Sequence, residues 1–571
     1  MPPDSIVFGA AGFIGRCLVA ELLRRGRADE AAVRGDGDRL TAWLTGQGVP
    51  LDGLSVVRAD ITRPGLGLPA TGLDDVRDVH NCAARFAFGL SVAEARAANV
   101  TGALNVLDWA ADLKSLRRVV HLSGYRVSGP GGGPPDYRGL GAYEASKKEG
   151  DAAVRARARE RGIPLTIANP ATAIGQGQFL GLASVVSDLW HGRLPAVPGG
   201  REVFVPVVDV GYLAAFLAAL PGDERTEGQA YWILDDRTPV LPDLLELLAT
   251  HMGVRAPRRT IPVGLLRRLP RALTGADPET LSFLSTDRYD TAPADAFAER
   301  IGLRRPPIEP TLRAWADDLV AARFGAIAAP PRPYGYQQVA GTATWVTGER
   351  VRPAHVLLYG LPLDSGSWAQ VADRLDGPVL AADLPGLGGS GPGHRPLEEW
   401  LADLLRSAET RPVLVAHSLA CGPAIRFAAA HPERLARLVL FAPAVLQAPS
   451  PWPLRSGGAA AVLRRTPPAR LARLLGLPEG AVAAPFSRPG QARRAVAALR
   501  ALHADRHDLR RALDGLDVPV ELVAGSADPL TVAVDRPVTT IDGAGHYPQL
   551  THPEAVAAAI TVRAGKGQAA V

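Results

Sequence analysis

Short, almost unbroken apolar runs alternate with longer stretches of helical periodicity along this chain. Runs of that kind, without polar alternation, predict strands buried on both faces, as in a parallel sheet covered by helices. The pattern holds from residue 5 to about 174, then loosens into helices and turns as far as about residue 325. The last of these is an amphipathic stretch at 311–324. Residues 328–333, Ala-Ala-Pro-Pro-Arg-Pro, cannot continue a helix and read as a stiff linker. The alternation then restarts, with apolar runs at 356–358, 379–382, 413–415, 438–441 and 520–524. An Arg- and Ala-rich helical insertion, about 450–513, separates the last two and predicts a helical cap. The expected organisation is an α/β domain over 1–325, a Pro-rich linker over 326–340, and a second α/β domain over 341–571.

Composition narrows the class. With 571 residues, 47% hydrophobic and 21% charged, each half can bury an ample core. The net charge of +5 is small and scattered, and only Lys114, Lys147, Lys148 and Lys566 are lysines. No basic-aromatic cluster supports nucleic acid binding. Cys17, Cys82 and Cys421 follow no metal-ligand spacing and read as small buried hydrophobes, so no metal is expected. No charged-then-apolar leader precedes the first strand, and no run reaches the ~20 residues of a membrane span. A cytoplasmic location is expected.

The first apolar run, 6–8, leads into Gly9-Ala-Ala-Gly12-Phe13-Ile14-Gly15 and a helix. This is a GxxGxxG variant of the dinucleotide fingerprint, set between strand and helix. Gly9 would make the tight turn, Gly12 would admit the pyrophosphate, and Gly15 would let helix pack on strand. The helix N-terminus would receive the phosphates through the amides of residues such as Phe13 and Ile14. Arg34, at the end of the second strand, suits the 2′-phosphate of NADP, with Arg39 assisting; a solvated surface Arg is the plainer alternative. Tyr143 and Lys147, spaced Tyr-x-x-x-Lys, project from one helix face. A neighbouring ammonium would lower the phenol's pKa toward neutrality and make it a proton shuttle.

These residues resemble the extended short-chain dehydrogenase/reductase family over about 5–325, most closely its thioester reductase and fatty acyl reductase branch. The matching strings include Val57-Arg-Ala-Asp60-Ile61, His80-Asn-Cys-Ala83-Ala84, Asn99-Val-Thr-Gly102, Val119-Val-His-Leu-Ser123, Asn169-Pro170-Ala-Thr and Asp287-Arg-Tyr-Asp-Thr291. The resemblance implies a Rossmann-type doubly wound sheet, with Asp60 and Ile61 near the adenine, Ala83, Ala84 and Pro170 along the cofactor, and Asn99 in the active-site water network. It also places the catalytic Ser or Thr at Gly124, where this chain has no hydroxyl. Ser123, reoriented, is the expected replacement, with Tyr125 as the alternative.

In the second half, Ala416-His-Ser418-Leu419-Ala420 follows an apolar strand, which places Ser418 on a sharp strand-to-helix turn. Asp528 follows the strand 520–524 and His546 precedes the final helix, so Ser, acid and His occur in the chain order this fold requires. The amides of Leu419 and Leu361 are the expected oxyanion donors. His417 is expected to pack beside the sheet. With Ser365-Gly-Ser-Trp368 and Asp383-Leu-Pro-Gly-Leu-Gly-Gly-Ser390, this half resembles the α/β-hydrolase family across about 340–562. Tyr359 replaces the His usual before Gly360, and alanines replace the elbow's outer glycines.

The combined expectation is a bifunctional enzyme. An NADP-dependent reductase of a carbonyl or acyl thioester is joined to a serine hydrolase or acyltransferase acting on esters or thioesters. The substrate would be a small molecule or an acyl group on a separate carrier or coenzyme, and a homodimer fits the reductase resemblance. Two alternatives remain open: an NAD-recycling epimerase or dehydratase, or an NADP-binding scaffold for the hydrolase.

Overall fold

The computed structural model describes residues 4–69, 72–85, 89–127, 135–266, 283–448, 456–477, 486, 488–532 and 534–561. The chain forms two compact units: Met1–Ser184 with Pro195–Glu246 and Pro257–Trp315, and Ala316–Val571 with Val185–Leu194 and Leu247–Ala256.

The first unit is built on a seven-stranded parallel sheet. Its strands are β1 (Ser5–Phe8), β2 (Asp29–Val33), β3 (Leu54–Arg58), β4 (Asp78–Asn81), β5 (Arg118–Leu122), β6 (Leu165–Pro170) and β7 (Ala230–Ile233). The order across the sheet is β7-β6-β5-β4-β1-β2-β3. Helix α1 (Phe13–Arg24) follows β1, and α2 (Ala142–Arg161) leads to β6. The strand order reverses between β1 and β4, which opens a crevice at the carboxyl ends of the strands. Apolar runs specify this sheet because both faces are covered: Ile6, Val7 and Phe8 are at most 1% exposed. The pattern of the sequence hid β7, a four-residue strand lying within the stretch read as helices and turns; it is held by parallel pairing to β6.

The second unit holds an eight-stranded sheet in the order β8-β9-β11-β10-β12-β13-β14-β15. Its strands are β8 (Tyr334–Val339), β9 (Thr342–Gly348), β10 (His355–Leu358), β11 (Val379–Ala382), β12 (Val413–His417), β13 (Arg437–Phe441), β14 (Val520–Gly525) and β15 (Thr539–Ile541). The first two pairings are antiparallel and the rest parallel. The expected linker over 326–340 is therefore shorter, because 334–339 is the edge strand β8, the hairpin partner of Thr342–Thr347 in β9 through a two-residue turn at Ala340 and Gly341, both at positive φ. The boundary between the units falls within the helix Ile308–Ala321 rather than at residue 325. Between β13 and β14 lie helices Ala459–Arg465, Pro468–Leu474, Gln491–Ala504 and Arg506–Asp514, where the cap was expected. Residues 449–455, 478–485 and 487 of that stretch lie outside the described residues. Among the described residues, no helix is long and apolar enough to cross a membrane, and no cluster of His, Cys, Asp or Glu is placed to hold a metal.

Candidate functional site

In the first unit, the expected cofactor residues collect along one sheet edge. Gly9 follows β1, Arg34 follows β2, Asp60 and Ile61 lie just past β3, Ala83 and Ala84 just past β4, Ser123 directly after β5, and Pro170 ends β6. Gly9 has φ +78, and a Cβ there would stand 2.8 Å from the backbone of Ala83. A Cβ on Gly15 would lie 2.2 Å from the Gly9 carbonyl oxygen. Gly12 caps α1 without any side-chain hydrogen bond. The amides of Phe13, Ile14 and Gly15 consequently open the helix toward the crevice, a ready anion site. The cradle fits a dinucleotide pyrophosphate. Arg34 is exposed, and its charge lies close enough to Asp60 to help lower that carboxyl's pKa, after the hydrogen bonds from Thr62.

Asn99 sits in a π-helical turn, Ala97–Thr101. Its Oδ1 accepts from the Arg85 amide at 3.0 Å, and its Nδ2 donates to Ser146 Oγ at 2.9 Å. Ser146 in turn donates to the Tyr143 carbonyl at 2.9 Å, tying Asn99 to the helix that carries Tyr143 and Lys147. Gly150 packs against the Asn99 carbonyl, where a Cβ would come within 2.2 Å.

The Tyr143–Lys147 pair corrects one expectation. Tyr143 is half-buried and Lys147 buried, and Lys147 Nζ donates to the Leu122 carbonyl at 2.8 Å. Burial pushes the Tyr143 phenol above its ordinary value, with Glu144 adding to the rise. Desolvation disfavours the charged form of each group, so it raises the phenol and lowers the ammonium. Ser123, directly after β5, is buried, and its Oγ has no hydrogen-bond partner among the described residues. The hydroxyl of Tyr125 is equally unpartnered, and its ring packs edge-on to Tyr289 at 5.3 Å. Arg126 holds the following loop by donating to Glu144 at 3.1 Å and to Ser285 at 2.9 Å.

Burial holds Lys147 at about 8, down from 10.5, despite the opposing charge of Asp151. The fold therefore penalises the ammonium. The penalty is full below pH ~8, relieved between ~8 and ~10.5, and absent above. That gap corresponds to about 3 kcal/mol, offset by about 1 kcal/mol for the bond to Leu122. Lys147→Met is expected to stabilise the protein at pH 7 by about 2 kcal/mol, with the advantage gone by pH ~10.5. Thermal denaturation across that range, without added nucleotide, checks it.

In the second unit, β12 ends at His417 and runs straight into Ser418, whose φ is +52. A non-glycine residue in that region costs about 1–3 kcal/mol and is held there only by its surroundings. Ala416 and Ala420 are fully buried on either side of it. Gly360, after β10, lies against the turn: a Cβ there would stand 2.6 Å from Ser418 Cβ and 2.7 Å from His417 Nδ1. Only glycine fits, and the contact brings Leu361 beside the elbow. Leu419 is the middle residue of the short 3-10 turn Ser418–Ala420.

His546 Nε2 lies 3.2 Å from Ser418 Oγ, and His546 Nδ1 lies 3.0 Å from Asp528 Oδ2. The three residues expected from chain order are thus brought into one hydrogen-bonded line across 128 residues of sequence. Burial raises the Asp528 pKa, yet the hydrogen bonds from His546 and the Leu530 amide outweigh it and hold the carboxyl below its ordinary range. Asp528 therefore stays ionised at neutral pH. Such a line can draw the proton from Ser418 and stabilise the imidazolium that results.

Sequence reasoning placed His417 beside the sheet but missed its bond. Its Nε2 donates to the His546 carbonyl at 2.8 Å, and burial holds it near 3, so it stays neutral and cannot compete as base. Gln447, at 2.8 Å from Asp528, was also missed; its only signal is a lone amide in the apolar stretch Ala442-Pro-Ala-Val-Leu-Gln447-Ala.

Comparison with known proteins agrees with both halves. Residues 7–133 match the family model described as Male sterility protein, and residues 354–559 match that of the Alpha/beta hydrolase family. Sterol demethylase protein B of Methylococcus capsulatus is 29% identical over 274 residues, covering 46% of this chain and 79% of that protein. The pimeloyl-[acyl-carrier protein] methyl ester esterase of Aromatoleum aromaticum is 32% identical over 239 residues, covering 36% of this chain and 94% of the esterase. Among solved structures, the terminal R domain of the myxalamid PKS-NRPS biosynthetic pathway aligns with a TM-score of 0.45 at 21% identity, covering 57% of this chain and 92% of the domain. The first half carries an NAD(P)-binding, reductase-like unit, and, with 94% of an esterase covered at 32% identity, the chain belongs through its C-terminal half to the α/β-hydrolase family.

Proposed function

We propose that the chain is a bifunctional enzyme that reduces a carbonyl or acyl thioester with NADPH and cleaves or transfers an acyl ester or thioester through Ser418. The observation that carries the reading is the unbroken line Ser418–His546–Asp528 at 3.2 and 3.0 Å. Ser418 gives its proton to His546 Nε2 as its oxygen attacks the acyl carbon. The amides of Leu361 and Leu419 stabilise the oxyanion, and His546 returns the proton to the leaving group. The acyl-Ser418 intermediate then passes to water or to another acceptor. The named esterase acts on an acyl-carrier ester, which supports a substrate borne on a separate carrier or coenzyme.

In the first unit, the glycine cradle and the amides of Phe13 and Ile14 would hold the pyrophosphate, and Arg34 favours the 2′-phosphate of NADP. NADPH, when bound, supplies the hydride. Tyr143 supplies the proton at the carbonyl oxygen, and the buried Ser123 hydroxyl would donate to that oxygen. The missing hydroxyl at Gly124 favours a second reading, a nucleotide-binding scaffold without turnover.

Two assays on the full chain test the proposal. A fluorophosphonate is expected to label the folded wild type at Ser418, and NADPH is expected to be oxidised faster than NADH with an acyl-coenzyme A or aldehyde panel. Folded protein that takes no label removes the hydrolase half; tight NADPH binding without turnover on any substrate of the panel favours the scaffold.

A further inference from the structure

Asp528 is held by donors from three separate places. Its Oδ2 accepts from His546 Nδ1 at 3.0 Å and from Gln447 Nε2 at 2.8 Å, while its Oδ1 accepts from the Leu530 amide at 2.9 Å. Gln447 comes from none of the segments that carry Ser418, Asp528 or His546; it lies in the loop after β13. Its side chain is 5% exposed, and Nε2 is also 3.3 Å from His546 Nδ1. That nitrogen must carry a proton to bond the carboxylate, so it cannot accept from the amide as well. The Gln447 hydrogen therefore goes to Asp528, and the reversed amide would set a carbonyl against a carboxylate. With a single donor on each oxygen, the carboxylate plane would be weakly fixed; the second donor on Oδ2 locks the oxygen that faces His546.

The loop is itself gripped from the cap. The Arg506 guanidinium donates to the Gln447 carbonyl, and Arg510 Nε donates to the Val445 carbonyl at 3.1 Å. Both arginines belong to the helix Arg506–Asp514.

We propose that Gln447 is a positioning residue of the hydrolase site, and that the cap helix Arg506–Asp514 sets its place through the carbonyls of residues 445 and 447. The inference rests on the hydrolase reading above. It makes the alignment of base and acid depend on the seating of the cap, through the chain Arg506–Gln447–Asp528. The titratable groups that face this carboxylate are His546, His417 and Tyr547, with Arg506 and Arg510 behind Gln447. His417 is held neutral by burial, and burial keeps Tyr547 protonated.

The test uses the full chain carrying Gln447→Leu, which keeps the volume and removes the donor, and Gln447→Glu, which adds a carboxylate. Fluorophosphonate labelling of Ser418 is followed from pH 5 to 9, with kcat and KM on 4-nitrophenyl butyrate and a thermal melt. Gln447→Leu is expected to slow labelling and kcat by ~10-fold with KM changed less than about twofold. Gln447→Glu is expected to move the acid limb of the profile upward by about one pH unit, because added negative charge favours the imidazolium. Arg506→Ala is expected to give a smaller loss, ~3-fold, also in kcat. Wild-type rates and an unmoved acid limb in both Gln447 variants would overturn the proposal while leaving the hydrolase reading intact. So would losses that follow the melting temperature with no change in pH profile. Folded wild type that fails to label at Ser418 would instead remove the hydrolase reading and this inference with it.

Discussion

His546→Ala is expected to hydrolyse 4-nitrophenyl butyrate about 10⁶-fold more slowly than the wild type, and Ser418→Ala by a similar factor. The two losses should not add, because base and nucleophile act as one unit: without His546 the Ser418 proton has nowhere to go, and without Ser418 the imidazole has nothing to activate. Asp528→Asn should cost less, about 10⁴-fold, since Ser418 and His546 remain in contact while the ring loses the partner that fixes its tautomer. Asp528 also gives a pH signature. Its carboxyl lies below the ordinary range in the fold, so the stability it contributes is present above the ordinary carboxylate pKa and is lost as pH falls through the lowered one. Asp528→Asn should therefore narrow the stability difference from wild type as the solution is acidified below about pH 4. Steady-state kinetics and acid melts of the three variants check these outcomes. Near-wild-type turnover by His546→Ala would sink the assignment.

The second large effect belongs to the reductase half. Tyr143→Phe is expected to lower NADPH-dependent carbonyl reduction by about 10²–10⁴-fold with little change in NADPH affinity, because only the transferable proton is removed. The companion change is Gly124→Ser. A Cβ at residue 124 meets only Val127 Cγ2, at 3.3 Å, and the backbone there is not left-handed, so a serine fits with a shift of a few tenths of an ångström. One oxyanion donor is typically worth ~10²–10³ in rate. If the site lacks that donor, Gly124→Ser should raise kcat by about 10-fold or more. An unchanged kcat with intact NADPH binding would show that Ser123 or Tyr125 already donates. Ser123→Ala, read beside Tyr125→Phe, then identifies which hydroxyl does so.

Both halves show the same division between local and distant information. The turn Gly9-x-x-Gly12-x-x-Gly15, the Tyr143–Lys147 spacing and the elbow around Ser418 are each contained in a strand–turn–helix or a single helix. Backbone geometry there forces small residues and a common face, so the motifs could be read directly. Asp528 and His546 were located by order along the chain, Asp528 after the apolar run 520–524 and His546 before the final helix. What stayed hidden depends on contacts between segments far apart. Lys147 was expected to tune Tyr143, but burial pushes the phenol upward, and burial depends on everything packed around α2.

The primary sequence made the two α/β folds, the nucleotide turn and the chain order of Ser418, Asp528 and His546 legible, because periodicity and spacing encode strand burial and turn sterics locally; the fold brings those three residues into one hydrogen-bonded line. Tertiary packing alone decided that His417 donates to the His546 backbone, and that Gln447 reaches Asp528 from 81 residues away. Those bonds join groups whose chain separation carries no periodic signal, and only the folded chain brings their donors and acceptors within reach.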